Sequence, residues 1–388
     1  MRVVILGGGF GGLNAAIRLG EKLKSSNHEV ILVADKHKFI FRPSLIWVPF
    51  GERKIEDISL PLHPTLQKAG VQFIKNKVAS VFPKKKRIIF QDHKMLDYDF
   101  LVVATGGFPD YEKIEGLKGN TASIYDAEEA LITKQRIEGL KSGDPIVIGV
   151  AQENPCQTIS YEFLFKLKAY LVQQKINSPI TFFTYEKELL EIGGKKATEL
   201  LTGHMQENQI SYVSNVTIDK IEQGKVHLSN GISLPFSLSL ILPPYKGADY
   251  IFLSGDLDHE NGLIPVNSYL QSMQWENIYA VGDTNLIGQK TMIKNGRAAE
   301  IEGHIAAENI YSQLQGREAH KEYHDSLLGV MELGTEGGML MIKYPASTPR
   351  SSSIEWASDG TVPHMMKVAF EKYYLWKLGS KLFETKSF

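Results

Sequence analysis

The chain has 388 residues, which is long enough to bury several hydrophobic cores and predicts two or three domains. A formal net charge of -1 gives no electrostatic footprint for nucleic acid, and the single cysteine excludes an intramolecular disulfide and fits a reducing compartment. No window of about 18 apolar residues is present, so we expect no membrane-spanning helix. Because the first predicted strand begins at Arg2, we also expect no signal peptide.

An apolar run at the start of the chain, from Arg2 to Leu6, passes directly into glycines. Gly7, Gly9 and Gly12 satisfy the pattern G-x-G-x-x-G, and a small-residue segment typical of a helix follows. Glycines let backbone N–H groups approach a pyrophosphate, and the helix N-terminus favours an anion. The order of strand, turn and helix therefore predicts a dinucleotide-binding site.

The second predicted strand covers residues 28–35 and ends in Asp35. An acid at about this distance from the glycines binds the adenosine ribose in many dinucleotide-binding domains, and a solvated acid is the alternative. Residues 39–51 are rich in aromatic residues and proline, which indicates a segment that lines a cofactor or a loop that packs on the core. Short strands near residues 71–74, 78–81 and 87–90 predict a small β unit.

Two later apolar strands also end at glycine or at an acid, in residues 99–107 and 276–283. The carboxyl ends of parallel strands meet at one edge of a sheet. We therefore predict that the junctions at 7–12, 104–107 and 282–283 line one crevice.

The glycine motif, the junction Ala104-Thr105-Gly106 and the segment Asn277–Asp283 together resemble flavoproteins with two dinucleotide-binding domains, such as disulfide reductases and type II NADH dehydrogenases. The resemblance implies an α/β fold of tandem Rossmann-like domains that binds FAD, and no metal. The FAD contacts that it implies are Gly7, Gly9, Gly12, Asp35, Ala104, Thr105, Gly106, Gly282 and Asp283.

The strand that opens the second Rossmann-like unit, residues 145–151, is followed by a turn that keeps only Gly149 of the expected glycines. Side chains occupy positions 150–155, and Pro155 has no N–H to offer. This backbone cannot cradle a second pyrophosphate, so we do not expect NAD(P)H to be the electron donor.

The same turn carries Cys156. Asn154 is a good N-cap and Pro155 suits the first helical position, so the sequence predicts that Cys156 lies in the first turn of a helix. The helix dipole would favour a thiolate there. The alternative is a small buried apolar residue.

The turn with Cys156 and Tyr161-Glu162-Phe163, together with residues 41–51 and 364–377, resembles the sulfide:quinone oxidoreductases. The resemblance implies that sulfide is the donor and a lipid quinone the acceptor. It also implies monotopic, peripheral attachment to the cytoplasmic side of the cell membrane. Cys156 becomes the catalytic thiolate, and the added flavin contacts are Arg42, Pro43 and Ser44.

Other members of that family carry two further cysteines, whose places here are taken by Tyr125 and approximately Gly329. A pair of cysteines bridged by sulfur cannot form. Either Cys156 works alone and passes sulfur to the flavin, an external thiol or sulfide, or the donor is not sulfide. The alternatives are a type II NADH:quinone oxidoreductase and a non-catalytic flavoprotein that binds a thiol metabolite or a partner.

Residues 290–310 predict a helix whose start, Lys294-Asn295-Gly296 followed by Glu300, matches those relatives. The resemblance points this start at the flavin. Lys294 would stabilise the anionic reduced flavin, and Glu300 would carry protons toward the quinone. The alternative is a pair of solvated charges.

Residues 364–383 are aromatic and basic. On a helical wheel, Lys367, Lys377 and Lys381 lie opposite a broad apolar arc of Met365, Val368, Ala369, Leu375, Trp376, Leu382 and Phe383. This pattern predicts an interfacial membrane helix, with a docking helix of a soluble dimer as the alternative. The candidate quinone contacts are Phe370, Lys372, Tyr373 and Tyr374.

The predicted domains are residues 1–110, the first part of the FAD-binding domain, and 111–264, the second Rossmann-like domain. Residues 265–320 are predicted to complete the FAD-binding domain, and 321–388 to form a quinone and membrane-interface region. The oligomeric state stays open, with a homo-oligomer possible.

Overall fold

The computed structural model describes residues 1–288, 294–324, 327–335, 337–344 and 354–380. Its first sheet is built from five parallel strands, and in all but the edge strand Gln72–Lys75 the inner residues are buried on both faces. In spatial order these strands are Ile278–Ala280, Phe100–Val103, Arg2–Leu6, Glu29–Ala34 and Gln72–Lys75.

The strand Gln72–Lys75 corrects one prediction, because it is an edge of this sheet and not part of a small β unit. It pairs in parallel with Glu29–Ala34. The separate antiparallel sheet consists of Val78–Phe82, Arg87–Phe90 and Met95–Asp97.

Two helices, Phe10–Leu23 and Gly296–Leu314, pack against each other beside the first sheet at very short range. A Cβ atom added to Gly303 would lie 2.3 Å from the carbonyl oxygen of Gly11. Only glycine at this position lets the two backbones approach so closely.

The second unit repeats the arrangement with four parallel strands, in the order Ser211–Val213, Ile180–Thr184, Ile146–Val150 and Leu238–Leu242. Its helices are Ala127–Glu138, Thr158–Gln173 and Lys195–Glu207. A small antiparallel sheet of Ile218–Glu222, Lys225–Leu228 and Ser233–Pro235 accompanies it. The predicted tandem α/β architecture is therefore confirmed.

Short elements connect these units. The paired strands are Lys38–Ile40 with Ser59–Pro61, Phe108–Pro109 with Tyr245–Lys246, and Ile264–Val266 with Asn285–Ile287. The short helices are Leu62–Lys68, Leu117–Asn120 and Asp249–Phe252. The 3₁₀ turns are Arg42–Trp47, Ile55–Ile58, Pro83–Lys85, Tyr111–Lys113, Glu191–Gly193 and Gly282–Thr284.

The C-terminal part begins with a three-stranded antiparallel sheet of Leu327–Glu332, Gly338–Tyr344 and Ile354–Gly360. The helix Thr361–Ser380 follows and packs on this sheet and on the strand Ser59–Pro61. Within the ranges described above, none of the helices combines the length and hydropathy that a transmembrane span requires.

The orientation of this last helix corrects the helical-wheel prediction for its lysines. Lys367 is buried and its ammonium group contacts the carboxylate of Glu162, whereas the wheel placed it on the solvent side. Lys377 is half-buried. Lys381, Leu382 and Phe383 lie outside the described residues.

The inward face of the helix consists of Pro363, Lys367, Glu371, Tyr374 and Leu378. The outward face is mostly apolar and contains Val362, Met365, Met366, Ala369, Lys372, Tyr373 and Trp376.

We expect Gly303→Ala to lower the free energy of unfolding by about 1–3 kcal/mol, because the new methyl group must push the two helices apart. Gly203→Ala is the matched control, since Gly203 also lies inside a helix but an added Cβ would meet no heavy atom within 4 Å. It should raise stability by about 0.5–1 kcal/mol through helix propensity. Urea unfolding of both variants checks this, and a neutral Gly303→Ala would contradict the close packing.

Candidate active site

The three predicted junctions meet at the carboxyl ends of the first sheet. A Cβ added to Gly7 would lie 2.2 Å from the carbonyl oxygen of Ala104, and one added to Gly107 would lie 3.3 Å from Cβ of Asp283. Gly7 also has a φ of +109°, which favours glycine. These contacts join residues 7–12, 104–107 and 282–283 into one crevice.

The residues at the start of the helix Phe10–Leu23 fit the pyrophosphate of a dinucleotide. Gly9 occupies the N-cap position and forms no side-chain capping hydrogen bond. A Cβ added to Gly9 or to Gly106 would meet no heavy atom within 4 Å, so both glycines border open space. Free N–H groups and the positive end of the helix dipole can bind phosphate oxygens there. Asp35 is exposed directly after its strand, as the ribose role requires.

The loop Arg42–Trp47 connects this crevice to the C-terminal helix. The guanidinium of Arg42 lies 4.4 Å from the ring centroid of Tyr125 and interacts with the Asp283 carboxylate. Pro43 is the second residue of the 3₁₀ turn, and the buried hydroxyl of Ser44 donates a hydrogen bond to Glu371. Ser44 therefore anchors the loop to the helix.

The position of Cys156 corrects the predicted helix start. The helix begins at Thr158 with Gln157 as its N-cap, so Cys156 lies before the first turn. Oδ1 of Asn154 accepts a hydrogen bond from the Cys156 N–H at 2.8 Å, while Nδ2 donates to the carbonyl of Pro243 at 2.6 Å. Asn154 thus stabilises its own turn and does not cap the helix.

The thiol of Cys156 is buried and donates a hydrogen bond to the carbonyl oxygen of Lys294 at 3.3 Å. Burial raises the pKa of the thiol well above its usual range, Asp283 raises it further, and Lys294 lowers it. The predicted position in the first helical turn is therefore wrong, and burial has the largest effect on the pKa of the thiol. The structure nevertheless brings Cys156, Asp283 and Lys294 together.

Lys294 is fixed by the turn that follows the strand Ile278–Ala280. Its Nζ donates to the carbonyls of Gly282 at 3.1 Å and Asn285 at 2.8 Å, and to Oδ1 of Asn285 at 2.6 Å. The helix after Lys294 begins at Gly296 and is capped by Asn295, whose side chain accepts from the N–H of Ala298. The predicted start at residue 290 falls in 289–293, outside the described residues.

Glu302 is a site residue that the sequence analysis missed. It is 1% exposed, and its Oε2 accepts hydrogen bonds from the N–H of Gly282 at 2.5 Å and from Nδ2 of Asn285 at 2.7 Å. Burial raises the pKa of Glu302 to about 7, although Lys294 lowers it. A carboxylate one helical turn from the buried alanines at 298 and 306 was the signal that could have revealed it.

Glu300 is also buried, so the alternative of a solvated charge is wrong for this residue. Its carboxylate lies 2.8 Å from the guanidinium of Arg297 and 3.2 Å from Nζ of Lys377. Because Lys377 belongs to the C-terminal helix, this contact fastens that helix to the helix that starts beside Lys294.

The four candidate quinone contacts do not form one cluster: Phe370 and Tyr374 contact each other on the inner side of the helix, and Lys372 and Tyr373 lie on its exposed face. Tyr374 is a core residue that is 1% exposed, and its hydroxyl accepts a hydrogen bond from Asn14 at 2.7 Å. Phe370 is partly buried against Phe41 and Tyr374. Lys372 and Tyr373 lie on the exposed face. Successive helical residues rotate by about 100°, so Phe370 and Tyr374, four residues apart, share one face, while Lys372 and Tyr373 project from another.

A second missed feature is the buried ion pair of Glu162 and Lys367. Glu162 lies on the helix that follows Cys156, and its Oε1 also accepts from the N–H of Glu332 at 2.8 Å. Nζ of Lys367 lies 5.0 Å from the ring centroid of Trp47. These contacts tie the cysteine helix, the loop Arg42–Trp47 and the C-terminal region together.

We expect Glu302→Gln to gain stability relative to the unchanged protein as the pH rises from 4.5 to 7. In the folded state the pKa of Glu302 lies near 7, above its ordinary value of 4.5. Between these two pH values the carboxyl ionises in the unfolded chain while the folded protein keeps it protonated, so the free energy of unfolding falls as the pH rises. Glutamine does not ionise, and the gap should widen by about 3 kcal/mol in urea unfolding.

Glu308→Gln on the same helix is the control, because the stability contributed by Glu308 should change with pH in the opposite direction. Partial burial raises the pKa of Glu308, but Lys22 and Arg18 outweigh it and hold the pKa below its usual range. The stability that this carboxylate contributes is present above its ordinary pKa and is lost as the pH falls. Parallel pH profiles for the Glu302 and Glu308 variants would contradict the assignment of Glu302.

Comparison with known proteins agrees with this geometry. A family model described as pyridine nucleotide-disulphide oxidoreductase matches residues 1–303. The sulfide-quinone reductase of Aquifex aeolicus is 31% identical over 397 residues, which cover 97% of this chain and 90% of that protein. The demethylphylloquinone reductase NdbB of Synechocystis is 26% identical over 353 residues, which cover 87% of this chain and 86% of that protein.

Solved structures of similar proteins share the fold of this chain. The X-ray structure of the sulfide:quinone oxidoreductase from Aquifex aeolicus has a TM-score of 0.90 at 30% identity, covering 98% of this chain and 92% of that one. NDH2 from Plasmodium falciparum shares the fold, with a TM-score of 0.76 at 15% identity and coverage of 98% and 96%. This chain is therefore an FAD flavoprotein oxidoreductase that belongs to the sulfide:quinone oxidoreductase family, within the pyridine nucleotide-disulphide oxidoreductases.

Proposed function

We propose that this enzyme oxidises sulfide, with Cys156 as the reacting thiol, and transfers the electrons through FAD to a lipid quinone. The observation that carries the proposal is the position of Cys156. Its sulfur lies 3.3 Å from the carbonyl of Lys294, next to the turn Gly282–Thr284 that would contact the cofactor. A thiol in this place can react with sulfide beside a two-electron acceptor, which is the chemistry that FAD supplies when bound.

The second Rossmann-like unit supports a donor other than NAD(P)H. Its turn is filled by side chains, and Asn154 bonds across to Pro243 where a pyrophosphate would need free N–H groups. The acid that follows the second strand, Glu186, is buried and accepts hydrogen bonds from Tyr161 at 2.6 Å and Thr184 at 2.9 Å. An acid that binds the ribose of NAD must face the crevice.

The proposed chemistry balances with one cysteine. The Cys156 thiol and H₂S would give a Cys156 persulfide, two electrons and two protons, and bound FAD would supply the two-electron acceptor that this oxidation requires. Attack of HS⁻ on the outer sulfur of the persulfide then returns the Cys156 thiol and releases HSS⁻. The external sulfide takes the role that a second cysteine has in other members of the family.

Lys294 and Glu300 have supporting roles in this proposal. Lys294 is held by Gly282 and Asn285 at the cofactor side, where its charge can stabilise an anionic reduced flavin. Glu300 is buried between Arg297 and Lys377 and can pass protons along the C-terminal helix toward the quinone.

The outward face of the C-terminal helix supports the proposed peripheral attachment to a membrane surface, for which we propose the cytoplasmic side of the cell membrane. Val362, Met365, Tyr373 and Trp376 are each more than half exposed, and Lys372 lies among them. Exposed apolar side chains on one helix face, accompanied by a lysine, are typical of an interfacial helix.

We expect sulfide to reduce the flavin of the unchanged protein under anaerobic conditions and Cys156→Ser to slow this reduction at least about 100-fold, because serine does not form a persulfide. Stopped-flow absorbance at the flavin band, followed by mixing with a short-chain quinone, measures both halves of the reaction. Reduction by sulfide at the same rate in both proteins would overturn the role of Cys156.

Stopped-flow absorbance at the flavin band also distinguishes the two alternative functions. Rapid bleaching by NADH would favour an NADH:quinone oxidoreductase, and a flavin that neither donor reduces would favour a non-catalytic flavoprotein. A Cys156→Ala variant serves as a second cysteine-free control, because alanine removes the hydroxyl that serine retains.

Replacement of two outward residues, Met365→Asp and Trp376→Asp, should weaken binding to vesicles that contain anionic lipid by more than about tenfold, because charged side chains do not enter the acyl boundary. Leu253→Asp is the matched control, since Leu253 is 70% exposed and Trp376 65%, but Leu253 lies elsewhere on the protein. Cosedimentation measures the effect. An equal loss of vesicle binding in Leu253→Asp would contradict attachment through the C-terminal helix.

A further inference from the structure

The three-stranded sheet of the C-terminal part has two unlike faces. Its strands pair in an unbroken register, so side chains alternate regularly between the two faces. One face carries Met331, Met339 and Met341, each at most 1% exposed. This face packs on the second Rossmann-like unit, where a Cβ added to Gly193 would lie 2.9 Å from Sδ of Met341. We call it the inner face and the opposite one the outer face.

The charged side chains of the last strand turn toward the inner face. Glu355 accepts a hydrogen bond from the N–H of Lys195 at 2.6 Å, and Oδ2 of Asp359 lies 2.7 Å from Nε2 of His204. Lys195 and His204 both belong to one helix of the second unit. Of the outer-face positions in the described strands, Glu332 alone is charged.

The C-terminal helix covers one end of the outer face. Oε2 of Glu332 lies 2.8 Å from Nδ1 of His364, and a Cβ added to Gly338 would lie 2.7 Å from the backbone nitrogen of His364. Glu332 and Gly338 are direct cross-strand neighbours. Because His364 lies in the first turn of the helix, the helix starts on the outer side of the sheet.

The other end of the outer face is exposed. Leu328, Ile342 and Trp356 lie directly opposite one another across the three strands, and we call them the outer row. Leu328 is 41% and Trp356 46% exposed, and Ile354 is exposed on the same face. Neighbouring strands lie about 4.8 Å apart, so the outer row forms an apolar strip about 10 Å long.

This arrangement reverses the usual pattern of such sheets. An antiparallel sheet with one face in water normally carries polar residues on that face. Here the carboxylates of Glu355 and Asp359 are directed toward the protein, and apolar side chains are directed away from it. A contiguous exposed apolar surface marks contact with a partner or with lipid.

A lipid surface fits the outer row better than a second copy of the chain does. Partly exposed side chains of this size offer on the order of a few hundred Å², whereas a stable protein interface buries about 800 Å² per partner. The apolar surface also continues directly into the C-terminal helix, since the strand ends at Gly360 and the helix begins at Thr361. Trp356 on the sheet and Trp376 on the helix are both exposed, and tryptophan is typical of the apolar side of interfacial elements.

We propose that the outer row is a second lipid-contact surface, which enters the acyl boundary of the same membrane that the C-terminal helix binds. The inference rests on the proposed membrane attachment and adds the sheet to it. The sheet and the helix are joined without a linker and through the contact of Glu332 with His364. Two such contacts fix the orientation of the protein on the membrane, because a helix bound alone can roll about its axis.

Trp356→Asp in the FAD-loaded protein should weaken binding to vesicles of phosphatidylcholine and phosphatidylglycerol at least about fivefold, because a charged side chain keeps the outer row out of the acyl boundary. Tyr212→Asp is the matched control. Tyr212 is an aromatic residue on the edge strand of the second sheet, is 41% exposed, and its replacement adds the same negative charge. Cosedimentation measures both variants, and the control should bind as the unchanged protein does. Retained flavin absorbance shows that the variants are folded.

A second measurement places no charge in the sheet. Vesicles with brominated acyl chains quench the fluorescence of tryptophans that enter the acyl boundary. Trp356→Phe should lose part of this quenching, and Trp376→Phe should lose the part that the helix contributes. Trp47 and Trp275 are retained in both variants, so each difference reports on the replaced tryptophan.

Unchanged vesicle binding in Trp356→Asp would overturn the proposal, and so would an equal loss in Tyr212→Asp or full quenching in Trp356→Phe. If Trp356→Asp lowers the oligomeric state in sedimentation without lipid and leaves vesicle binding intact, the outer row contacts a second copy and the proposal is wrong. The proposed attachment is tested separately. If Met365→Asp and Trp376→Asp release the protein from vesicles while Trp356→Asp does not, attachment through the helix stands and the contact through the sheet is wrong. Failure of the unchanged protein to bind vesicles would overturn both.

Discussion

The backbone of Gly7 lies so close to the carbonyl of Ala104 that no side chain fits between them, with 2.2 Å left for a Cβ atom. This contact sets the distance between the first phosphate-binding turn and the neighbouring strand end. The helix Phe10–Leu23 then lies against Gly296–Leu314 through a second such contact, at Gly303. The helix Gly296–Leu314 carries Glu302 and follows Lys294, and both side chains bond to Gly282 at the carboxyl end of the same sheet.

The two Rossmann-like units use the same architecture for different chemistry. In the first, glycines keep N–H groups free at the start of a helix. In the second, the side chain of Asn154 forms hydrogen bonds to its own turn and to Pro243, and Cys156 follows in the turn after the first strand of that unit. Neighbouring groups shift the pKa of the thiol in opposite directions: Asp283 raises it, while Lys294 and Tyr245 lower it.

The first phosphate-binding turn was predictable because its signal is local: strand, glycines and helix follow one another within residues 2–23. The crevice was predictable because parallel strands share an edge. The cap at Asn154 was not, because its amide bonds to a carbonyl 89 positions away, which no local pattern records. Lys367 was assigned to solvent for the same reason, since its partner Glu162 lies 205 positions earlier.

The ion pair of Glu162 and Lys367 fixes the C-terminal helix to the rest of the protein. Both groups are buried, and removal of one member of a buried pair leaves an uncompensated charge at a cost of about 3–5 kcal/mol. The helix is therefore part of the catalytic body and not a detachable tether. The same pair joins the C-terminal helix directly to the helix that starts two residues after Cys156, so the two helices cannot separate without exposing or stranding a charge.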